Sequence, residues 1–180
     1  MVFIFFGKDY FGRSYLEISW KGWGKLQLSW YSYADYLVFK QKTLSAAQDK
    51  MKPSEFIEFA LRECGSCNFL IFDCGDKNKF VQFWLGDGKL ILDWPIMKTN
   101  KLEKYTYAML GVLNELGIHE LSSFPKKPKI VSHYTVGQTG NNKIYQIDFK
   151  KNYDQAATLV KTLFIQIFRQ KLIQLRYQIG

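Results

Sequence analysis

The chain opens with alternation. Tyr15-Leu16-Glu17-Ile18-Ser19-Trp20 and Lys25-Leu26-Gln27-Leu28-Ser29-Trp30 interleave apolar and polar residues at a period of two, and Gly7, Gly12, Gly22 and Gly24 punctuate the runs. That period, in β-favouring residues, predicts strands joined by tight turns over residues 1–40. Trp20, Trp23, Trp30, Tyr31, Tyr33 and Tyr36 all fall in this segment, so it carries more aromatic surface than a short hairpin buries in itself. Residues 41–52 are small and polar and mark the expected boundary.

From residue 53 the period changes. Pro53 suits the first turn of a helix, and Phe56, Ile57, Ala60, Leu61 and Cys64 recur at helical spacing until Gly65. Strands are predicted over 68–74, 79–85 and 89–94, separated by Gly75-Asp76 and Gly86-Asp87-Gly88. Asn100 with Glu103 has the form of a capping box, followed by the stripe Leu102, Tyr105, Met109, Val112, Leu113 and Leu116, and Gly117 ends it. Two further strands are predicted over 129–136 and 143–149. A last long helix opens at Asn152 and Gln155, with Leu159, Val160, Leu163, Phe164, Ile167 and Phe168 on its buried face. The order α-β-β-β-α-β-β-α over residues 53–180, with hairpin-length connections, predicts an α+β fold: an antiparallel sheet covered by helices, preceded by an aromatic-rich β extension at 1–40 that packs on it.

The element order, the text Phe80-Val81-Gln82-Phe83, the Asp87-Gly88 turn and the closing amphipathic helix resemble the bacterial type III secretion chaperone-like superfamily, which includes domains of the TY-Chap kind. The resemblance covers roughly residues 53–171. It implies a non-catalytic protein-binding domain, often a homodimer, that shields a segment of its partner.

Charge and cysteine content narrow the class of role. The chain has 180 residues and a formal net charge of +9. Thirteen basic residues stand against six acidic ones in residues 91–180, and Lys126-Lys127-Pro128-Lys129 is the densest run. Acidic proteins and nucleic acids are therefore electrostatically eligible partners. The aromatics cluster in the other, near-neutral half, which argues against a stacking platform for single-stranded nucleic acid. Three cysteines within eleven positions make no disulfide framework, and a reducing, cytoplasmic setting is expected. Gly7, Lys8 and Asp9 interrupt the opening apolar run, so no signal peptide is expected. Lys161, Arg169, Lys171 and Arg176 break the apolar stretch over 156–179. Each would cost ~2.5–3.5 kcal/mol at a membrane centre, so no membrane span is expected.

Three fragments of chemistry remain. Cys64-Gly65-Ser66-Cys67 is a CxxC, but it follows a predicted helix, at the negative end of the dipole, where a thiolate is disfavoured. A zinc site would need Cys74, His119 or His133 to complete it. Those two histidines lie near no activated Ser or Cys. Asp148-Phe149-Lys150 has the acid-x-lysine form of many metal-dependent nucleases, yet residues 121–147 contain no Asp or Glu to share an ion. The expected function is a non-catalytic protein-binding module, chaperone-like or a toxin-neutralising immunity protein. It has no cofactor and no metal, and Trp20, Trp23, Trp30, Tyr31, Tyr33 and Tyr36 contact an acidic partner. The competing readings are a basic nucleic-acid-binding protein and, behind it, a metal-dependent nuclease.

Overall fold

The alternation of residues 1–30 folds into the strands it predicts. In a computed structural model of the chain, β1 (Val2–Lys8), β2 (Ser14–Trp20) and β3 (Gly24–Trp30) form an antiparallel meander. The structure describes the backbone of residues 2–8, 14–20, 24–30, 33–65, 67–85, 88–97, 101–121, 132–139 and 142–180. Side chains are described from residue 34 onward within those ranges, apart from 35 and 139. The chain divides into two compact units, Met1–Thr43 and Leu44–Gly180.

The expected polar boundary is a helix. α1 spans Tyr33–Gln48, taking in Tyr33 and Tyr36, which the alternation had assigned to the β segment. Shielded residues recur at 36, 37, 40, 43, 44, 47 and 48, a helical stripe, and Leu44 is fully buried. The run Tyr36-Leu37-Val38-Phe39 reads as strand because a short apolar run carries no period of its own.

The second unit is an α+β fold. It contains α2 (Pro53–Glu63), β4 (Phe69–Asp73), β5 (Phe80–Trp84), β6 (Ile91–Ile96), α3 (Glu103–Glu115), β7 (His119–Glu120), β8 (His133–Thr139), β9 (Asn142–Asp148), α4 (Tyr153–Thr162) and β10 (Arg176–Ile179). The sheet order is β10-β4-β5-β6-β9-β8-β7. Pro53 opens α2 and Cys64 caps its end. Asn152 caps α4 by accepting the Gln155 amide. The N-cap of α3 is Leu102, so Glu103 stands one residue inside the helix; Asn100 lies outside the described residues.

Two short strands escape the expected order. β7 pairs with β8 in parallel, which makes the sheet mixed rather than wholly antiparallel. The connection over 121–132 is long enough for a crossover, unlike the hairpins elsewhere. β10 has four residues, follows the closing helix and lies antiparallel against β4. That helix also changes character, because α4 runs on as a π-helical turn over Leu163–Ile167.

The core lies on one face of this sheet. Leu70, Phe72, Val81, Phe83, Leu92, Trp94, Tyr145 and Ile147 alternate inward on β4, β5, β6 and β9 and are buried. Trp94, on the central strand, stacks on Phe168 with centroids 6.0 Å apart. Its indole N–H donates to Thr106 Oγ1 of α3 at 3.1 Å. Phe56 of α2 meets Tyr177 of β10 on the same face. The layer of α2, α3 and the end of α4 thus covers the Trp94 side.

The edge strand is clamped ionically. Asp73 Oδ1 accepts from Arg176 Nε at 2.9 Å, Arg176 Nη2 at 2.5 Å and the Gly75 amide at 2.7 Å. Burial alone would raise the Asp73 pKa. The Gly75 N–H, the guanidinium and Gln178 outweigh it and hold the carboxyl below its ordinary value of 3.8.

Two outcomes follow for stability. Leu163 is fully buried, so Leu163→Ala is expected to cost ~2–5 kcal/mol in chemical denaturation. An ionised Asp73 favours the folded chain, and that contribution is complete above the unfolded value near 3.8 and lost as pH falls through the lower folded value. Asp73→Asn should lower stability at pH 7 and flatten the acid decline below about pH 4 in urea titrations; an unchanged acid limb would show that the clamp contributes nothing.

Candidate functional site

A sheet with all its helices on one face leaves the other to its remaining side chains. The outward residues are those that alternate with the core: Phe69 and Ile71 on β4, Phe80, Gln82 and Trp84 on β5, Ile91, Asp93 and Pro95 on β6, and Ile144, Gln146 and Asp148 on β9. Among the described residues of the second unit, no helix packs on them. Register sorts them into rows. Phe69 pairs with Trp84, Trp84 with Ile91, Ile91 with Asp148, Asp148 with His133, and His133 with His119. The next row holds Ile71, Gln82, Asp93, Gln146 and Thr135.

The first row begins apolar and ends polar. Trp84 is 44% exposed, although it stands between Phe69 and Ile91. An indole so placed is a large apolar body open to solvent, the kind of group that anchors protein interfaces. In the second row Gln146 Nε2 donates to Asp93 Oδ1 at 3.0 Å. Burial raises the Asp93 pKa and the Gln146 bond opposes it.

The ligand-type residues of this face do not make a metal centre. The row brings His119 and His133 side by side with Asp148, a neighbourhood that fourteen residues of sequence separation concealed. Asp93 supplies the second carboxylate that the acid-x-lysine fragment lacked in sequence, one strand away and diagonal to Asp148, about 7–8 Å between such positions. Both carboxylates are engaged. Asp148 Oδ2 meets Lys150 Nζ at 2.5 Å and its Oδ1 accepts the Lys150 amide at 2.9 Å, while Asp93 is held by Gln146. Among the described residues no three His, Cys, Asp or Glu side chains come within reach of one ion.

The aromatic residues expected to bind a partner are not brought together by backbone register. Trp20 pairs opposite Gly24 and Trp30 opposite Ser14, at opposite ends of the β2–β3 ladder. Tyr33 is the first residue of α1, and Tyr36 lies on the same helix with Lys40 Nζ 5.6 Å from its ring centroid. Trp23 and Tyr31, like the Lys126–Lys129 run, lie outside the described residues. The row Phe69–Trp84–Ile91 carried a faint sequence signal. Residues 80–85 hold aromatics at both parities of the strand, more than one buried face requires.

The cysteines are not joined in a disulfide. Cys64 caps α2 at its negative end and is fully buried, as is Cys67. Cys74 is partly exposed, and burial followed by the Asp73 charge raises its thiol pKa. Among the described residues no helix is long and apolar enough to cross a membrane. No family model, no curated protein and no solved structure matches the chain.

Thiol accessibility checks this arrangement. In the native protein one cysteine, Cys74, should react with Ellman's reagent, slowly at neutral pH and faster as pH rises. All three should react after unfolding. Rapid reaction of two or three native thiols would place the CxxC turn at the surface.

Proposed function

We propose that the chain is a non-catalytic protein-binding module, chaperone-like or toxin-neutralising in kind, that docks a segment of another protein on the helix-free face of its seven-stranded sheet. The observation that carries this reading is Trp84, 44% exposed between Phe69 and Ile91 on a face that no described helix of its unit covers. Removing such surface from water contributes roughly 25 cal/mol per Å² of apolar area. The resemblance to secretion chaperone-like domains supports the same role through element order. Net charge supports an acidic partner, since +9 steers encounter with negative surfaces. A reducing compartment suits three cysteines without a disulfide. The aromatic unit of residues 1–43 remains a second contact region in this proposal, through Trp20, Trp30, Tyr33 and Tyr36.

The engaged carboxylates of Asp93 and Asp148 disfavour the nuclease alternative, because a divalent ion needs carboxylates that are ionised and open. They also weaken the nucleic-acid alternative, since both put negative charge on the face in question.

Photo-crosslinking tests the proposal directly. A benzophenone amino acid at position 84 should yield one dominant protein adduct in the source cell. The same group at Tyr107, 89% exposed on α3 and on the helical side, should not. Capture of nucleic acid at position 84, with a steep salt slope, would decide for the alternative. Equal, scattered adducts at both positions would remove the face as a docking surface.

A further inference from the structure

The apolar row does not end in open solvent. Ile91 is shared with a hollow of about 420 Å³ whose lining includes Gly88, Lys89, Asp148, Lys150 and Lys151. We infer that this lysine-walled hollow receives a carboxylate of the docked partner, so that the partner segment joins a bulky apolar residue, seated against Trp84, to an acidic residue about three positions away. The inference rests on the protein-binding reading above and names the chemistry of the segment bound.

Charge balance points to an anion. Three ammonium groups and one carboxylate line the hollow, and the Asp148 carboxylate is engaged by Lys150 through both its ammonium and its amide. Lys89 and Lys151 are exposed, and neither has an anionic partner among the described residues. Among the described residues, two positive charges therefore stand without a counter-charge at the rim of an apolar row.

The loop that presents them is held in place. Lys150 and Lys151 both have left-handed backbone, at φ 50° and 67°, a conformation that glycine or asparagine ordinarily supplies. The Phe149 amide donates to Leu90 O at 3.0 Å and the Asn152 amide to Phe149 O at 2.8 Å, tying the loop to the start of β6 and to the entry of α4. Gly88, facing Lys151 across the hollow, has left-handed backbone of its own at φ 69°, which glycine adopts without strain.

Geometry sets the spacing in the ligand. From Trp84 on β5 to Asp148 on β9 is two strand spacings, roughly 9–10 Å, which an extended chain covers in about three residues. A protein segment fits better than a nucleic acid backbone. A phosphodiester track would run its repeated charges past Asp148 and the neighbouring Asp93, whereas a peptide places one acid at the lysines and neutral groups elsewhere.

The test is shift mapping on the full chain with two synthetic peptides, acetyl-Leu-Ser-Ser-Glu-amide and acetyl-Leu-Ser-Ser-Gln-amide, and with inorganic phosphate. The acidic peptide should move the Trp84 indole N–H and the amides of Lys89, Lys150 and Lys151. It should bind at least tenfold tighter than the glutamine peptide. The double variant Lys89→Gln, Lys151→Gln should abolish that tenfold advantage while leaving the response to the glutamine peptide unchanged. If the Trp84 indole responds equally to both peptides, or the advantage survives in the variant, the lysine inference falls and the docking face stands. If shifts are confined to the lysine amides, the hollow binds anions but the segment does not span it and Trp84, which overturns both the inference and the docking face. Tighter binding of phosphate than of the acidic peptide, or no response to either peptide, likewise overturns the inference.

Discussion

Burial of Trp94 on the central strand is the constraint from which the second unit is organised. An indole of that size leaves water at little cost only if its N–H finds an acceptor, and Thr106 Oγ1 supplies one at 3.1 Å. Phe168 stacks on the ring, and Tyr105 and Phe164 meet Phe168 edge-on at 5.0 and 5.3 Å. One side chain therefore joins the fourth of seven strands to α3 and to the end of α4. Because successive residues of a strand point to opposite faces, turning Trp94 toward the helices turns Asp93 and Pro95 away from them. Pairing then propagates that choice to every neighbour in the sheet.

The outward face is thus a consequence of the inward one rather than an independent feature. Phe83 and Phe72 follow Trp94 into the core, so Trp84, Phe69 and Ile71 must face outward. The sheet cannot relieve their exposure by slipping register, since a shift of one residue would exchange the two faces and bury Gln82, Asp93 and Gln146 under the helices. The Asp73–Arg176 clamp secures the margin by pairing β10 with β4, which leaves less of the β4 backbone open to another chain. Register, clamp and core together fix the positions of the outward side chains, and were a partner to bind there, it would lose little affinity to ordering them.

The elements that the sequence disclosed were those with long, one-sided patterns. α2, α3 and α4 each carry an apolar stripe with a clear stop, and β4, β5, β6, β8 and β9 each have a run bounded by turn residues. The elements it concealed were short or two-sided. β7 and β10 have two and four residues, too few for a period to register. α1 combines β-favouring residues with a polar second half, and only the burial of Leu44 and its neighbours at helical spacing reveals its face. The candidate site was harder to see because it depends on pairing. Trp84 and Ile91 are close in sequence, but Phe69, Asp148 and Lys151 reach them only through strand register and loop ties. The aromatics of residues 1–40 are legible as a count in the sequence, whereas the exposure of Trp84 becomes legible only once its strand neighbours are known.

Charge is unevenly distributed beside the apolar row of the outward face. Asp93 lies in the second row, where burial disfavours its ionised form, and Gln146 is its one hydrogen-bond partner among the described residues. A partner acid placed above Asp93 would meet a like charge in partly desolvated surroundings, where repulsion is stronger than in water. The same acid placed beside Ile91 and Asp148 in the first row would meet Lys89 and Lys151. Asp93 stands on β6, between the strand of Trp84 and the strand of Asp148, so a segment with its acid over β6 would be opposed and one with its acid a strand further on would be favoured. Apolar contact at Trp84 would hold the segment, and the step from carboxylate to lysine beside it would fix how far along the segment its acid stands.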